Sequence, residues 1–115
     1  MDIEQMAQRV AQVAHNKKAQ GVVILNVQRL ATFTDYFVIC HGQSVNQVQA
    51  IVRAIKESML EEGVSIPRME GYTGGRWVLL DLGDVVVHVF HHEEREFYHL
   101  ERLWGDAGTV QLRES

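Results

Sequence analysis

The stretch of sequence that decides the fold is Trp77-Val78-Leu79-Leu80-Asp81-Leu82-Gly83-Asp84-Val85-Val86-Val87-His88-Val89-Phe90. It contains two apolar runs of strand length, joined by Gly83-Asp84. A two-residue link with glycine first is typical of a β-hairpin, because glycine adopts positive φ at little cost. The stretch therefore predicts two neighbouring antiparallel strands.

Helical and strand patterns flank this hairpin on both sides. Ile3, Met6, Val10 and Val13 recur at helical spacing, which predicts a helix from Asp2 to about Gln20 that Gly21 stops. The remaining segments are predicted as strands at 22–27, 36–40 and about 68–72, a helix from Ser44 to Gly63, and a helix from Glu93 to Trp104. Ser44 and Gln47 fit a capping box at the start of the second helix.

The predicted order is α-β-β-α-β-β-β-α, which indicates an α/β (α+β) fold. The first two strands are continuous apolar runs, typical of strands buried on both faces, whereas the last pair forms a hairpin. This combination predicts a mixed five-stranded sheet flanked by helices in a single domain over residues 1–105. Residues 106–115 read as a short C-terminal tail.

Composition limits the classes of function. The chain has 115 residues, a hydrophobic fraction of 46%, one cysteine and a formal charge of −4. The N-terminus opens with acidic residues and no apolar run is long enough for a bilayer, so we expect a cytoplasmic protein without a membrane partner. The negative charge argues against broad binding to a phosphate backbone, but it suits docking on a basic protein.

The residues that could carry chemistry do not form a known catalytic pattern. Four histidines, at positions 88, 91, 92 and 99, lie close together in the sequence. His88 and His91 are three apart on a predicted strand and should point to opposite faces, whereas His92 starts a turn and the fourth lies on the final helix, so we predict no metal site. Cys40 lies in an apolar run and should be a buried, inert thiol. The glycine-rich segment from Gly71 to Arg76 leads into a strand, whereas phosphate-binding motifs lead into a helix. We therefore predict no catalytic residue and no cofactor.

One strand face mixes apolar and polar groups. Trp77 and Asp81 share a face of one hairpin strand, and His88 and Phe90 share a face of the other. A face buried in a core would not favour Asp81 and His88. Two interpretations stay open: Trp77 packs under a helix, or this is a partly exposed sheet face that binds a partner.

Several blocks of the sequence, in order, resemble the ribosomal silencing factor (Iojap-like) family. The blocks are Thr34 to Cys40, Gly42-Gln43-Ser44, Glu70-Gly71-Tyr72, Arg76 to Asp81, Gly83 to Phe90, and finally Phe97-Tyr98, Leu100-Glu101 and Leu103-Trp104. The resemblance runs from the first helix to about Gly105, which is nearly the whole chain.

The resemblance implies a fold related to nucleotidyltransferases and a role as a translational repressor. The implied partner is the large ribosomal subunit, bound through its fourteenth ribosomal protein, so that joining with the small subunit is blocked. A minor contact with ribosomal RNA and a homodimer of the free protein are further expectations. With the mixed strand face, the resemblance assigns partner binding to Glu70, Tyr72, Arg76, Trp77, Asp81, Asp84 and His88.

The alternative function is that of a nucleotidyltransferase-like enzyme or a nucleotide-binding protein. Such enzymes place a Gly-Ser pair at a helix start, followed by two aspartates that hold magnesium. Gly42-Gln43-Ser44 begins a predicted helix, but no Asp-x-Asp follows anywhere in the chain. We therefore expect a protein that is not an enzyme.

Overall fold

The computed structural model describes residues 1–66, 68–98 and 108–112, with the side chains of residues 96–98 left out. In chain order the elements are α1 (Ile3–Asn16), β1 (Gln20–Asn26), β2 (Tyr36–Gly42), α2 (Val45–Glu61), β3 (Arg68–Glu70), β4 (Trp77–Asp81), β5 (Val85–His91), α3 (His92–Tyr98) and β6 (Gly108–Val110). No helix in the described ranges is long and apolar enough to cross a membrane.

The strands form one mixed sheet in the order β3-β4-β5-β2-β1-β6. β2 and β5 are parallel and every other neighbouring pair is antiparallel. The predicted mixed sheet is confirmed, but it has six strands rather than five. The sixth strand falls in the residues predicted as a tail, where Thr109 pairs with Leu25. The Gln8 side-chain amide also donates to the Gln111 carbonyl at 2.9 Å, which holds this segment against α1.

The first helix is shorter than its pattern predicted. Asp2 and Gln5 form a capping box at its start, and the helix ends at Asn16 instead of continuing to Gln20. Lys18 then adopts φ +66°, and Gly21, with φ +58°, lies inside β1 at an irregularity in the pairing with β2. Gly21 therefore bends a strand and does not stop the helix.

The second helix begins at the predicted residue with a modified cap. The Ser44 hydroxyl accepts the Gln47 backbone N–H at 3.1 Å, as the capping box requires. The Gln47 side chain, however, accepts from the Gln43 backbone N–H at 2.6 Å, one residue earlier than the motif predicts. Gly63, with φ +76°, follows the C-terminal cap Glu62 as expected.

The two helices cover one face of the sheet. Apolar residues of α1 and α2, among them Val10, Ile51 and Ile55, pack against side chains of the central strands such as Val38 and Val87. Cys40 belongs to this core and is fully buried, which raises the pKa of its thiol to about 12. The predicted burial of this thiol is confirmed, and the thiol is protonated near neutral pH.

The hairpin has the predicted geometry. The Leu82 N–H donates to the Val85 carbonyl at 2.9 Å across the two-residue link, and Gly83 has φ +89°. The strand predicted at about 68–72 is shorter, ending at Glu70. The predicted final helix begins at His92, and its part beyond Tyr98 lies outside the described residues.

Candidate functional site

The hairpin register places the mixed residues on one face. Trp77 lies opposite Phe90, Leu79 opposite His88, and Asp81 opposite Val86. The face of β4 that carries Trp77 and Asp81 and the face of β5 that carries His88 and Phe90 are therefore on the same side of the sheet. This face is the one turned away from α1 and α2, because its apolar residues form a second cluster to which neither helix contributes.

Ring contacts organise the centre of this surface, which we call the aromatic face (Phe37, Trp77, Leu79, His88 and Phe90). Trp77 stacks on Phe90 with ring centroids 5.0 Å apart. Phe37 meets the His88 ring edge-on, with ring centroids 5.1 Å apart. Rings from the three neighbouring strands β4, β5 and β2 therefore form one continuous row of contacts. Trp77 and Leu79 remain half-buried. The Trp77 indole packs on the second cluster, to which neither long helix contributes, so the interpretation that it packs under one of them is wrong. The indole is partly exposed, as the other interpretation requires, and partner binding stays a prediction.

His88 is the buried polar group at the centre of the aromatic face. It is only 6% exposed, and its Nδ1 accepts the Trp77 indole N–H at 3.1 Å. Accepting this bond places the proton of the neutral ring on Nε2, which is buried with no hydrogen-bond partner. Burial lowers the pKa of His88 from 6.5 to about 4, so the ring is neutral at physiological pH. With only 6% of its surface exposed, His88 offers a partner little direct contact.

Exposed apolar side chains extend the aromatic face into the loop between β1 and β2. Phe33 is 64% exposed, and its ring lies 6.2 Å from that of Phe37. Leu30, in the same loop, is also exposed. Sequence reasoning missed both residues, because they lie in a polar connection. The sequence does place Phe33 between two threonines in a polar loop, and an aromatic residue in such a loop indicates an exposed binding residue rather than a core residue.

Arg76, predicted to bind a partner, is engaged within the chain. Its guanidinium donates to Glu94 at 2.7 and 3.1 Å and to Glu93 at 3.1 Å. The Arg76 carbonyl also accepts the His91 N–H at 2.9 Å. These bonds join the loop before β4 to the first turn of α3. They also lower the pKa of Glu93, chiefly through its hydrogen bond with Arg76.

Tyr72 and Glu70 are separated by the sheet. Tyr72 packs against the helical core, and its hydroxyl accepts a bond from Arg53 on α2 at 2.7 Å. Glu70 lies opposite Leu79 on the side of the aromatic face, where it is exposed and paired with Arg68. Of the predicted binding residues, Tyr72 thus belongs to the opposite side of the molecule from Trp77.

Carboxylates gather at the hairpin end of the aromatic face. One Asp81 oxygen accepts the Gly83 N–H at 2.8 Å, which caps the turn. The Asp84 carbonyl accepts the N–H groups of Asp35 and Tyr36 at 2.9 and 3.1 Å, while Asp84 itself is exposed. We call Asp35, Asp81 and Asp84 the acidic corner.

The loop before Trp77 is fixed by α2. The Gln49 side-chain amide donates to the Tyr72 carbonyl at 2.9 Å. Gly71 has φ +83°, and a side chain there would collide with the Trp77 carbonyl oxygen. Gly75 has φ +64° and lies directly against Val45. The glycine-rich segment is therefore a tightly packed loop that sets the position of Trp77.

The groups that the nucleotide-binding alternative would use are bonded within the chain. The Gln43 N–H and the Ser44 hydroxyl both bond to Gln47, and the Gln43 side chain bonds to that of Gln20. Nothing in this turn favours a phosphate ligand over these internal partners.

A candidate ligand set for a cation occurs where the sequence predicted none. His91, His92 and Glu93 each offer one ligand atom, and these atoms lie within 4.8 Å of one another. The prediction separated His88 from His91, set His92 aside as the start of a turn and did not consider Glu93.

These features define a small α/β protein with a helical layer on one sheet face and a candidate docking surface on the other. The chain belongs to the family described as ribosomal silencing factor during starvation, whose model matches residues 1–115. The resemblance predicted from the sequence blocks is thereby confirmed.

Individual relatives agree with this assignment. The chain is 51% identical over 112 residues to ribosomal silencing factor RsfS of Halalkalibacterium halodurans, covering 97% of this chain and 96% of that one. A crystal structure of a Bacillus halodurans protein superimposes with a TM-score of 0.85 at 49% identity, covering 95% of this chain and 99% of that one. A longer mouse relative, mitochondrial assembly of ribosomal large subunit protein 1, is 33% identical over 91 residues, covering 76% of this chain and 40% of that one.

Proposed function

We propose that this chain is a cytoplasmic translational repressor that binds the large ribosomal subunit through the fourteenth ribosomal protein and blocks joining with the small subunit. Family membership supports the ribosomal role, and the name of the mouse relative mentions the large subunit. The observation that carries the proposal is the aromatic face, which ends in exposed Phe33 on one side of the molecule while both long helices cover the other.

The docking surface consists of the aromatic face, the Leu30–Phe33 loop and the acidic corner. Apolar rings supply the buried centre that most protein interfaces use, and the half-exposed Trp77 is a residue type enriched among dominant contacts. The acidic corner suits a basic ribosomal protein, since complementary charge speeds encounter and selects register. Arg76 and Tyr72 act indirectly in this proposal, by holding α3 and the loop before β4.

Repression follows from steric exclusion. The helical layer lies on the sheet face opposite the docking surface, so docking leaves α1 and α2 projecting away from the ribosomal protein. This bulk would then occupy space needed by the small subunit. A second copy of the chain is the competing occupant of the same apolar surface in free protein, and light scattering at several concentrations distinguishes a dimer from a monomer.

The test is sedimentation of the purified chain with separated large and small ribosomal subunits, and then with both together. We expect comigration with the large subunit alone and a smaller fraction of joined ribosomes. Absence of comigration at micromolar protein would refute the proposal. Comigration with the large subunit without any binding to the isolated fourteenth ribosomal protein would refute binding through that protein.

Matched variants locate the surface. Phe33→Ala removes a 64% exposed ring beside the aromatic face, and Leu60→Ala removes a 55% exposed side chain on α2. We expect Phe33→Ala to weaken subunit binding about tenfold, as truncation of an anchoring aromatic does. Leu60→Ala should leave affinity unchanged. Equal affinities for both variants would place the interface elsewhere.

A further inference from the structure

A cluster of ligating side chains lies at the carboxyl ends of the parallel strands β2 and β5, where Gly42 pairs with His91. This edge is where open α/β sheets commonly bind ligands, because loops and helix starts converge there. His91 closes β5, and His92 and Glu93 open α3. The two imidazoles stack with centroids 4.6 Å apart, and a ligand atom from each of the three residues lies within 4.8 Å of the others.

We propose that His91, His92 and Glu93 form a binding site for a divalent transition-metal ion of the zinc class. Two imidazoles and one carboxylate are a donor set typical of Zn²⁺, and three protein ligands leave a fourth position open for water or a partner's side chain. Neither the docking surface nor the proposed repression uses this site.

The local charge balance favours a cation. Arg76 contributes one positive charge and contacts both Glu93 and Glu94, which contribute two negative charges. Glu94 holds the guanidinium through the shorter contact of 2.7 Å, compared with 3.1 Å to Glu93. Glu93 can therefore turn to a metal ion while Arg76 stays neutralised by Glu94.

His91 is held in place before any ion binds. His91 is 8% exposed, and its backbone N–H is bonded to the Arg76 carbonyl. Its Nδ1 accepts the Glu93 N–H at 3.3 Å, which is a long bond. Coordination through Nδ1 would replace this weak contact and leave the Glu93 amide as an ordinary unpaired N–H of a first helical turn. His92 is half-buried, and its ring stacks on that of His91.

The test uses the whole chain, free of any affinity tag and stripped of metal. Titration with Zn²⁺ is followed by calorimetry, and Co²⁺ serves as a probe whose visible absorption reports the coordinating ligands. We expect one ion per chain, with His92→Ala and Glu93→Gln each weakening binding by at least about tenfold, the loss typical of disturbing a metal shell. Circular dichroism confirms that both variants fold.

The matched control is His15→Ala, which removes an exposed imidazole at the end of α1. It should bind Zn²⁺ as the unmodified chain does. The proposal fails if the unmodified chain binds no Zn²⁺ up to millimolar concentration. It also fails if His92→Ala and Glu93→Gln bind as tightly as His15→Ala, which would indicate an adventitious site.

Discussion

The hydrogen bond between Trp77 and His88 should contribute measurably to the stability of the aromatic face. In Trp77→Phe, a ring remains to stack on Phe90, but the indole N–H that His88 Nδ1 accepts at 3.1 Å is lost. Because His88 Nε2 is already unpaired, the imidazole is then left buried without any hydrogen bond. An unsatisfied buried polar group costs about 1–3 kcal/mol, so Trp77→Phe should lower the free energy of unfolding by about 2 kcal/mol.

A double-mutant cycle separates this bond from packing. In the His88→Phe background the bond is already gone and the indole N–H no longer has His88 as its acceptor, so adding Trp77→Phe should lower the free energy of unfolding by no more than the loss of ring contact. The free energies of unfolding come from urea denaturation of all four proteins. We expect a coupling energy of about 1–2 kcal/mol between the two positions. Equal costs of Trp77→Phe in both backgrounds, to within about 0.3 kcal/mol, would refute the reasoning.

Two further predictions concern pH and backbone geometry. The pKa of His88 is lowered from 6.5 to about 4, so only the unfolded chain binds this proton between those values. Stability should therefore fall, by up to about 3 kcal/mol, as pH drops from about 6.5 to about 4, and urea denaturation of His88→Phe should lack this part of the slope. Gly71→Ala should lower the free energy of unfolding by about 3–5 kcal/mol, because the new side chain meets an unfavourable positive φ and also collides with the Trp77 carbonyl oxygen. Gly83 has φ +89° but open space around it, so Gly83→Ala should lower the free energy of unfolding by only about 1–2 kcal/mol. Urea denaturation measures both variants. Similar losses for both glycine variants would contradict the packing of the loop.

Elements defined by local signals were predicted well. The hairpin follows from Gly83, and the start and end of α2 follow from Ser44 and Gly63. Each of these residues acts on the backbone within a few positions, so the pattern contains the needed information. The extent of α1 was overestimated, because Lys18 and Gly21 adopt positive φ in a turn and a strand irregularity that helical periodicity does not reveal.

Long-range pairing was not predictable in the same way. β6 has only three residues and joins the sheet by pairing with β1, about eighty positions earlier in the chain. So short a segment carries little pattern of its own, and its conformation depends on the edge that β1 presents. The strand count was therefore wrong by one.

In the candidate site, too, local features were predicted from the sequence and long-range contacts were not. Alternation along β4 and β5 was enough to predict that Trp77, Asp81 and His88 lie on one side of the hairpin. It did not show that Tyr72 lies on the opposite side, bonded to Arg53, or that Arg76 is occupied by Glu93 and Glu94. Those contacts join residues about twenty positions apart, which spacing alone does not bring together.

By itself, the sequence determined the family, the mixed sheet and the hairpin face that combines aromatic, imidazole and carboxylate groups. It did so because turn glycines, helix caps and strand alternation are local properties. The tertiary structure decided what each group can do. Burial makes His88 a neutral core residue, and the loop of Phe33 extends the aromatic face. The junction of β5 with α3 orients the consecutive residues His91, His92 and Glu93 so that their ligand atoms lie within 4.8 Å of one another. These outcomes depend on which surfaces pack together, and packing is a property of the whole chain.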